Sequence, residues 1–294
     1  AQDNDGNGSN SGHVRIYNYN GSAWVQVGAD IDGEAVSDYS GNSVSLSSDG
    51  SRVAIGATGN DGVSGSNSGH VRIYNYNGSA WVQVGADIDG EATSDLSGWS
   101  VSLSSDGSRV AIGANFNDGN GYNSGHVRIY NYNGSAWVQV GADIDGEAVS
   151  DYSGNSVSLS SDGSRVAIGA RNNDGVSGSN SGHVRIYNYN GSAWVQVGAD
   201  IDGEAVSDYS GNSVSLSSDG SRVAIGANGN DGVSGSDSGH VRVYSLGEYQ
   251  YAWNVDGNGT PSDGSYSATV SGTDTAGNAY VAGTQSITFT IDTT

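Results

Sequence analysis

Apolar and polar residues alternate along short segments that return every 56 or 57 residues. In the first copy these segments are His13–Tyr19, Ala23–Ile31, Asn42–Ser47 and Arg52–Ala57. A period of two residues is typical of β-strands, and β-branched and aromatic residues within the segments favour strands further. Asn-Gly or Asp-Gly follows the first and third segments, and such pairs favour tight hairpin turns. Each copy is therefore predicted to be a four-stranded antiparallel meander.

The string Gly-His-Val-Arg marks the copies, whose histidines are His13, His70, His126, His183 and His240. Four-stranded units repeated in a chain of this length favour a β-propeller over a sandwich. A solenoid would need capping repeats, which the sequence lacks. The serine-rich third segment is expected nearest the propeller axis and the segment with Trp24 on the outer edge. We therefore predict an all-β propeller of four-stranded antiparallel blades, with five blades preferred to four.

The repeat resembles the FG-GAP repeat of integrin α-subunit propellers and their bacterial relatives. The matching landmarks are Gly41 with Ser43-Val44, the stretch Ile55-Gly56-Ala57, and Gly69 with Val71 and Tyr74. The resemblance covers about residues 12–247. Two features depart from the family: Ser40 stands in place of the phenylalanine, and the first hairpin is shortened to Ser48-Asp49-Gly50, where relatives carry a calcium loop. The resemblance implies a non-enzymatic secreted or cell-surface module for adhesion or recognition.

In that family the innermost strand opens each blade, so His13–Ile31 is expected to be the outer half of a blade. Its inner strands are expected from the C-terminal part of the chain, at Tyr266–Ser271 and Ala279–Ala282. Residues 1–294 would then form a single five-bladed ring closed by strands from both termini. Residues 256–294 also resemble the second half of bacterial Ig-like adhesin modules, so the alternative is that they begin a further domain.

Composition narrows the choice of partners. The 294 residues carry a net charge of −22, and all ten basic residues are arginines. Nucleic acids and anionic membranes are polyanions, so binding to either is not expected. No apolar run approaches the ~20 residues that cross a bilayer, so membrane insertion is not expected either. Without cysteine the chain has no disulfide and no thiolate site. No Ser-His-Asp grouping or phosphate loop is evident, so no enzymatic activity is expected.

The motif with the most ionisable side chains is the acidic stretch Asp-Ile-Asp-Gly-Glu, in which a further Asp follows four residues after the Glu. Carboxylates at relative positions 1, 3, 5 and 9 suit a loop around Ca²⁺, although the glycine is at position 4 and not 6. Calcium is therefore a possible cofactor. The alternative is that these residues cap turns and pair with arginines such as Arg15 or Arg52. The candidate ligands are Asp30, Asp32, Glu34, Asp38, Asp87, Asp89, Glu91, Asp95, Asp143, Asp145, Glu147, Asp151, Asp200, Asp202, Glu204 and Asp208.

The histidines recur once per repeat, which places them apart in a ring. They are expected to donate to nearby backbone carbonyls and not to share one metal ion as a set of two or three.

The loops after Ala57, Ala114, Ala170 and Ala227 hold most of the differences between repeats. They are expected on one rim of the ring, opposite the acidic stretches, and loops on a rigid scaffold often bind partners. A protein or glycan on a surface is the expected partner, and a lectin-like glycan-binding propeller is the alternative function. Neutral drift, or a consensus propeller without a ligand, would explain the differences equally well. The candidate ligand-binding residues are Trp99, Phe116, Tyr122 and Arg171.

Overall fold

The computed structural model describes residues 1–232 and 235–246, together with the backbone of strands 264–268 and 287–291. The chain divides into two compact units, Ala1–Glu248 and Tyr249–Thr294. The regular structure of the described residues consists of β-strands, which confirms the all-β prediction. Within these residues no helix is long and apolar enough to cross a membrane.

The first unit repeats one antiparallel sheet. The N-terminal half-blade comprises β1 His13–Val14, β2 Tyr17–Tyr19, β3 Trp24–Gln26 and β4 Ile31–Asp32. The first blade comprises β5 Ser40–Leu46, β6 Arg52–Ala57, β7 His70–Tyr76, β8 Trp81–Gln83 and β9 Ile88–Asp89. The second comprises β10 Ser100–Leu103, β11 Arg109–Ala114, β12 His126–Tyr132, β13 Trp137–Gln139 and β14 Ile144–Asp145. The third comprises β15 Ser153–Leu159, β16 Arg165–Ala170, β17 His183–Tyr189, β18 Trp194–Gln196 and β19 Ile201–Asp202. The fourth comprises β20 Ser210–Leu216, β21 Arg222–Ala227 and β22 His240–Ser245.

In the second unit, β23 Gly264–Ala268 pairs antiparallel with β24 Ile287–Ile291. The first of these strands overlaps the predicted Tyr266–Ser271, whereas Ala279–Ala282 lies outside the described residues. Closure of the ring by this part of the chain stays a prediction, as does the resemblance of residues 256–294 to an Ig-like module.

The hydrophobic core lies between consecutive sheets. At the junction of the first and second blades, Ala54, Val71 and Ile73 of one sheet pack against residues of the next. The residues contributed by the second blade are Val101, Leu103, Val110, Ile112 and Tyr130. The same set recurs between the second and third blades. Sheets that stack face to face by a constant repeat, each with four strand positions, form a β-propeller, as predicted.

Serine side chains link the innermost strands of successive blades. Ser43 Oγ donates to the carbonyl of Gly98 at 2.6 Å, and Ser100 Oγ donates to that of Gly154 at 2.7 Å. Ser156 Oγ repeats the bond to Gly211 at 2.8 Å. Short side chains are needed here because the first strands of the blades converge, so the predicted position of the serine-rich strand is confirmed.

The outer strand differs from the prediction because it is broken. The segment Ala23–Ile31 was expected to be one strand, but β3 and β4 are separate, and β8 and β9 repeat the break in the first blade. Both halves pair with β7, β8 at its end and β9 at its beginning. Gly85 lies in the gap with φ +76°, and Trp137 of the next blade packs against it. The break therefore makes room for a tryptophan of the neighbouring sheet.

Candidate functional site at the blade junctions

The acidic stretches, which we call acidic connectors, span residues 30–38, 87–95, 143–151 and 200–208. Each lies beside the Gly-rich loop that precedes the histidine of its repeat, and in the complete blades this loop joins the second and third strands. The amide of Gly90 donates to the carbonyl of Gly69 at 2.8 Å, and the amide of Ser94 donates to that of Ser66 at 2.9 Å. The expectation that connectors and loops lie on opposite rims was therefore wrong. Both lie at the end where β7 begins, because His70 pairs with Asp89.

The last carboxylate of each connector caps a turn. Asp38 is buried, and its Oδ2 accepts hydrogen bonds from the amides of Glu34 and Ala35 at 3.0 and 2.8 Å. Asp95 accepts from the amide of Ala92 at 3.0 Å and from Asn117 Nδ2 at 2.9 Å. These positions follow the turn-capping alternative, since a backbone N–H already occupies the oxygen.

The arginines link connectors to the following blade. Arg72 lies 3.4 Å from Glu34 and also donates to the carbonyl of Asp32 at 2.7 Å. The pairs Arg128–Glu91 at 3.2 Å and Arg185–Glu147 at 3.7 Å repeat this contact at the next two junctions. In the N-terminal half-blade, Arg15 instead binds Asp30 of its own repeat at 2.8 Å. The hydrogen bond from Arg15, followed by that from Gln26, lowers the pKa of Asp30 to about 2.

The histidines lie under these carboxylates, a placement that the sequence did not predict. The Nδ1 of His126 is 3.8 Å from Glu91 of the preceding connector and 3.9 Å from Asp143 of its own repeat. The expected donation to a backbone carbonyl is not found for the described histidines, and four of them lie 3.7–4.0 Å from a glutamate of the preceding connector. Burial, and then the charge of the neighbouring arginine, lowers the pKa of His126 and of His183 to about 4. These imidazoles are therefore neutral at pH 7.

Three of the four carboxylates of one connector thus have separate surroundings. The first faces the histidine of its own repeat, the third faces the histidine of the next repeat, and the fourth caps its turn. Burial raises the pKa of Glu91, and the negative charges of Asp143 and Asp95 add to this while Arg128 opposes it. The local excess of negative charge is therefore concentrated where two connectors meet. The constant spacing of glutamate and histidine was visible in the repeat, but only packing of the blades shows that they meet.

A small cavity recurs on the outer side of three junctions. The first measures about 230 Å³ and is lined by Ala29, Asp30, Ile31, Asp32, Tyr74, Ala80 and Trp81. The second and third each measure about 210 Å³ and are lined by the equivalent residues. The indole of Trp81 donates to the carbonyl of Val27 at 2.8 Å, which fixes the ring across the junction. Each cavity combines an aromatic wall with carboxylates.

Of the four predicted ligand-binding side chains, Trp99 and Phe116 contact each other. Trp99 and Phe116 are half-buried with ring centroids 6.0 Å apart, and Phe116 also packs edge-on against Tyr152 at 5.2 Å. Tyr122 is 68% exposed, and Arg171 is half-buried. The aromatic cluster therefore joins the second blade to the third, and Tyr122 is the member that offers an open surface.

Comparison with known proteins supports the repeat and the fold. The family model of the FG-GAP repeat matches residues 87–130, from the connector of the first blade into β12. No curated protein matches the chain in sequence.

Among solved structures, the chain is similar to a protein from Bacteroides uniformis described as a "putative 6-phosphogluconolactonase", with 13% identity and a TM-score of 0.54. That match covers 81% of this chain and 61% of the other. Hydrazine synthase of Kuenenia stuttgartiensis matches with 13% identity and a TM-score of 0.42, covering 69% of this chain and 45% of that one. The chain thus spans less than two thirds of either structure. At such identity the first likeness concerns the fold alone, and the second carries no argument.

Proposed function

We propose that this chain is a non-enzymatic, multivalent recognition module of a secreted or cell-surface protein. The observation that carries the proposal is the recurrence of the same cavity at three blade junctions. Identical sites on one rigid scaffold raise the avidity for a repetitive surface without any new contact at a single site. FG-GAP repeats are typical of extracellular and surface proteins, which supports the localisation.

The chemistry of the cavity favours a glycan as the ligand. Each cavity has about the size of one sugar ring. Tyr74 and Trp81 offer apolar faces, and Asp30 and Asp32 offer acceptors for hydroxyl groups. The net charge of −22 repels acidic sugars, so neutral or amino sugars are the expected class. A lectin-like module is therefore the second, more specific candidate.

The absence of catalysis is part of the proposal. General acid–base chemistry needs a group that reaches the substrate, and histidine performs it most often. The described histidines of the complete blades are almost wholly buried beneath their carboxylates. The proposed partners exclude nucleic acids and membranes for the electrostatic reasons given above.

Calcium is the cofactor that the FG-GAP resemblance implies, and acidic groups lie near each repeat. Calcium takes six to eight oxygen ligands. The connector does not gather its four carboxylates around one point, because Asp38 is held by its turn and Glu34 faces the next blade. The calcium-loop arrangement, with all four carboxylates around one ion, therefore does not fit these side chains.

Binding of the full chain to an array of neutral, amino and acidic oligosaccharides tests the function. The variant D32N/D89N/D145N removes one carboxylate from each cavity and should reduce the array signal at least tenfold. The control D49N/D106N/D162N removes the same charge from three exposed hairpin turns and should bind like the unmodified chain.

A third variant distinguishes the rim aromatics from the cavities. Phe116→Ala with Tyr122→Ala removes the candidate surface at the second blade only. If this double variant abolishes binding and D32N/D89N/D145N does not, the Gly-rich loops and not the cavities are the recognition site. If the chain binds no oligosaccharide, the glycan candidate is wrong.

A further inference from the structure

Three clusters of one histidine and two carboxylates lie at the blade junctions, and their polar atoms approach one another closely. Each takes its glutamate from one connector and its histidine and aspartate from the following repeat. The clusters are Glu34 with His70 and Asp87, Glu91 with His126 and Asp143, and Glu147 with His183 and Asp200. Within each, one ligand atom per residue lies within 4.8 Å of the others.

The imidazole in each cluster is buried and forms no hydrogen bond with the described residues. The side chains of His70, His126 and His183 are exposed by only 2%, 2% and 1%. Their Nδ1 atoms lie 3.7–4.0 Å from the glutamate and aspartate oxygens. These distances exceed those of a hydrogen bond. The Nε2 atoms of His70 and His183 are also buried without a partner.

A buried polar ring without a partner is costly, so its orientation needs a reason. Each Nδ1 faces two carboxylate oxygens across a gap that is too wide for a hydrogen bond. Around a tetrahedral zinc ion with bonds of about 2.0–2.2 Å, ligand atoms are about 3.3–3.5 Å apart. The observed separations of 3.7–4.0 Å exceed this by roughly half an ångström, which small side-chain rotations remove.

We propose that each of these three clusters binds a divalent transition-metal ion of the zinc class, through Nδ1 of the histidine, Oε2 of the glutamate and Oδ2 of the aspartate. Imidazole nitrogen together with carboxylate is a donor set for Zn²⁺ and its first-row neighbours. Calcium requires oxygen ligands in larger number. Three protein ligands leave a position open for water or for a hydroxyl group of a bound molecule.

The half-exposed carboxylates give an ion access to the buried imidazole nitrogen, and the glutamate is held in a fixed orientation. Glu34 is 44% and Asp87 33% exposed at the side chain, so an ion reaches the buried nitrogen from the solvent side. Arg72 lies against Oε1 of Glu34 at 3.4 Å, which leaves Oε2 facing His70. Arg72 is therefore a positioning residue, and it limits the carboxylate to one ligand atom.

The N-terminal half-blade provides a contrasting case. His13 lies near Asp30 and Asp32, but Arg15 forms hydrogen bonds with both oxygens of Asp30. That carboxylate is already neutralised, so the cluster is not included in the proposal. Asp87 and Asp143 also line the cavities, but zinc binding is measured without a glycan, so the two proposals are tested separately.

Zinc binding to the full, metal-stripped chain tests this inference. Equilibrium dialysis with metal analysis gives the number of ions, and Co²⁺ absorption reports the ligand geometry. The variant E34Q/E91Q/E147Q changes only half-exposed side chains, so it should fold, and it should lose three ions per chain. We expect its affinity for zinc at these sites to fall at least about 100-fold. A tetrahedral cobalt spectrum should be present in the unmodified chain and absent in the variant.

The matched control is D49N/D106N/D162N, which removes three carboxylates from hairpin turns away from the histidines. It should keep the three ions and the cobalt spectrum. The inference is overturned if the glutamate variant binds as many zinc ions as the unmodified chain, if the control loses as many as the glutamate variant, or if calcium competes with zinc at equal concentration. These readouts involve no glycan, so their failure is distinct from failure of the recognition proposal.

Discussion

Tryptophan on the outer strand joins one blade to the next. Trp137 packs against Tyr132 at 5.3 Å, and its Nε1 donates to the carbonyl of Val84 in the preceding blade at 2.7 Å. Trp24 makes the same contact with its own Tyr19, at 5.5 Å, but is 70% exposed. Comparison of Trp137 with Trp24 therefore separates the stabilisation that comes from the neighbouring blade from that within the tryptophan's own hairpin.

Replacing Trp137 by Phe should therefore cost about 1–3 kcal/mol of the free energy of unfolding, through the lost hydrogen bond and packing. Trp24→Phe should change it by less than about 0.5 kcal/mol, as expected at an exposed position. Urea unfolding followed by circular dichroism measures both. Equal losses in the two variants would show that the junction does not depend on the indole.

The hairpin between the two inner strands depends on one carboxylate. Asp49 accepts hydrogen bonds from the amide of Ser51 at 2.9 Å and from the hydroxyl of Ser47 at 2.7 Å. These bonds, that from the Ser51 amide first, lower the pKa of Asp49 from 3.8 to about 2. Asp219 has the same turn, and its pKa is also lowered to about 2, first by Ser217 and then by Ser221.

A carboxyl group whose pKa is lower in the folded state stabilises the fold while it is ionised. The contribution is complete above about pH 4 and is lost as the pH falls towards 2. The melting temperature of the chain should therefore fall over this interval, and less steeply in D49N/D219N. A variant with an unchanged acid profile would show that these turns do not contribute.

The broken outer strand of the first blade depends on Gly85, which lies between β8 and β9. An added Cβ would lie 2.8 Å from Cδ1 of Trp137, in addition to the strain of φ +76°. Gly78 in the preceding hairpin has φ +96° but nothing within 4 Å of such a Cβ. Gly78→Ala should cost about 1–2 kcal/mol from the backbone alone. Gly85→Ala should lower the free energy of unfolding by roughly a further 1–3 kcal/mol, because the added Cβ crowds Trp137. Chemical denaturation of the two variants gives the difference, and no difference would mean that the tryptophan does not require the break.

Periodicity was sufficient to predict the strands and hairpins but not their interruption. Val25 and Val27 continue the alternation of apolar and polar residues into the break, so the local pattern gives no sign of it. The cause is Trp81 of another repeat, which the local pattern does not contain. Glu34 and His70 likewise meet only because consecutive sheets stack. Features within one repeat were therefore predictable, whereas those built from two repeats required the structure.

The first and the fourth blade of the first unit each expose an apolar face. Val44 and Leu46 of the first blade are 53% and 50% exposed, whereas their equivalents Val101 and Leu103 are buried. On the fourth blade, Val241 and Val243 are 69% and 65% exposed. The N-terminal half-blade supplies outer strands only, so two inner strands placed between these faces would bury both. The C-terminal segment of this chain is the predicted source.

Deleting residues 264–294 should then leave both faces uncovered. Exposed strand edges and apolar faces promote association, so the shortened chain should aggregate or melt at a clearly lower temperature. Light scattering and calorimetry of the full and shortened chains measure this. A shortened chain that stays monomeric with an unchanged melting temperature would show that the segment is an appendage.

We propose that ligands bind at the junctions between blades, in equivalent sites that are each built from two repeats. Calorimetric titration of the full chain with a neutral oligosaccharide selected on the array measures the number of these sites. We expect three equivalent sites within the described part of the chain, and Asp89→Asn alone should remove one of them while the others keep their affinity. A single site per chain, or three sites that remain after D32N/D89N/D145N, would contradict it.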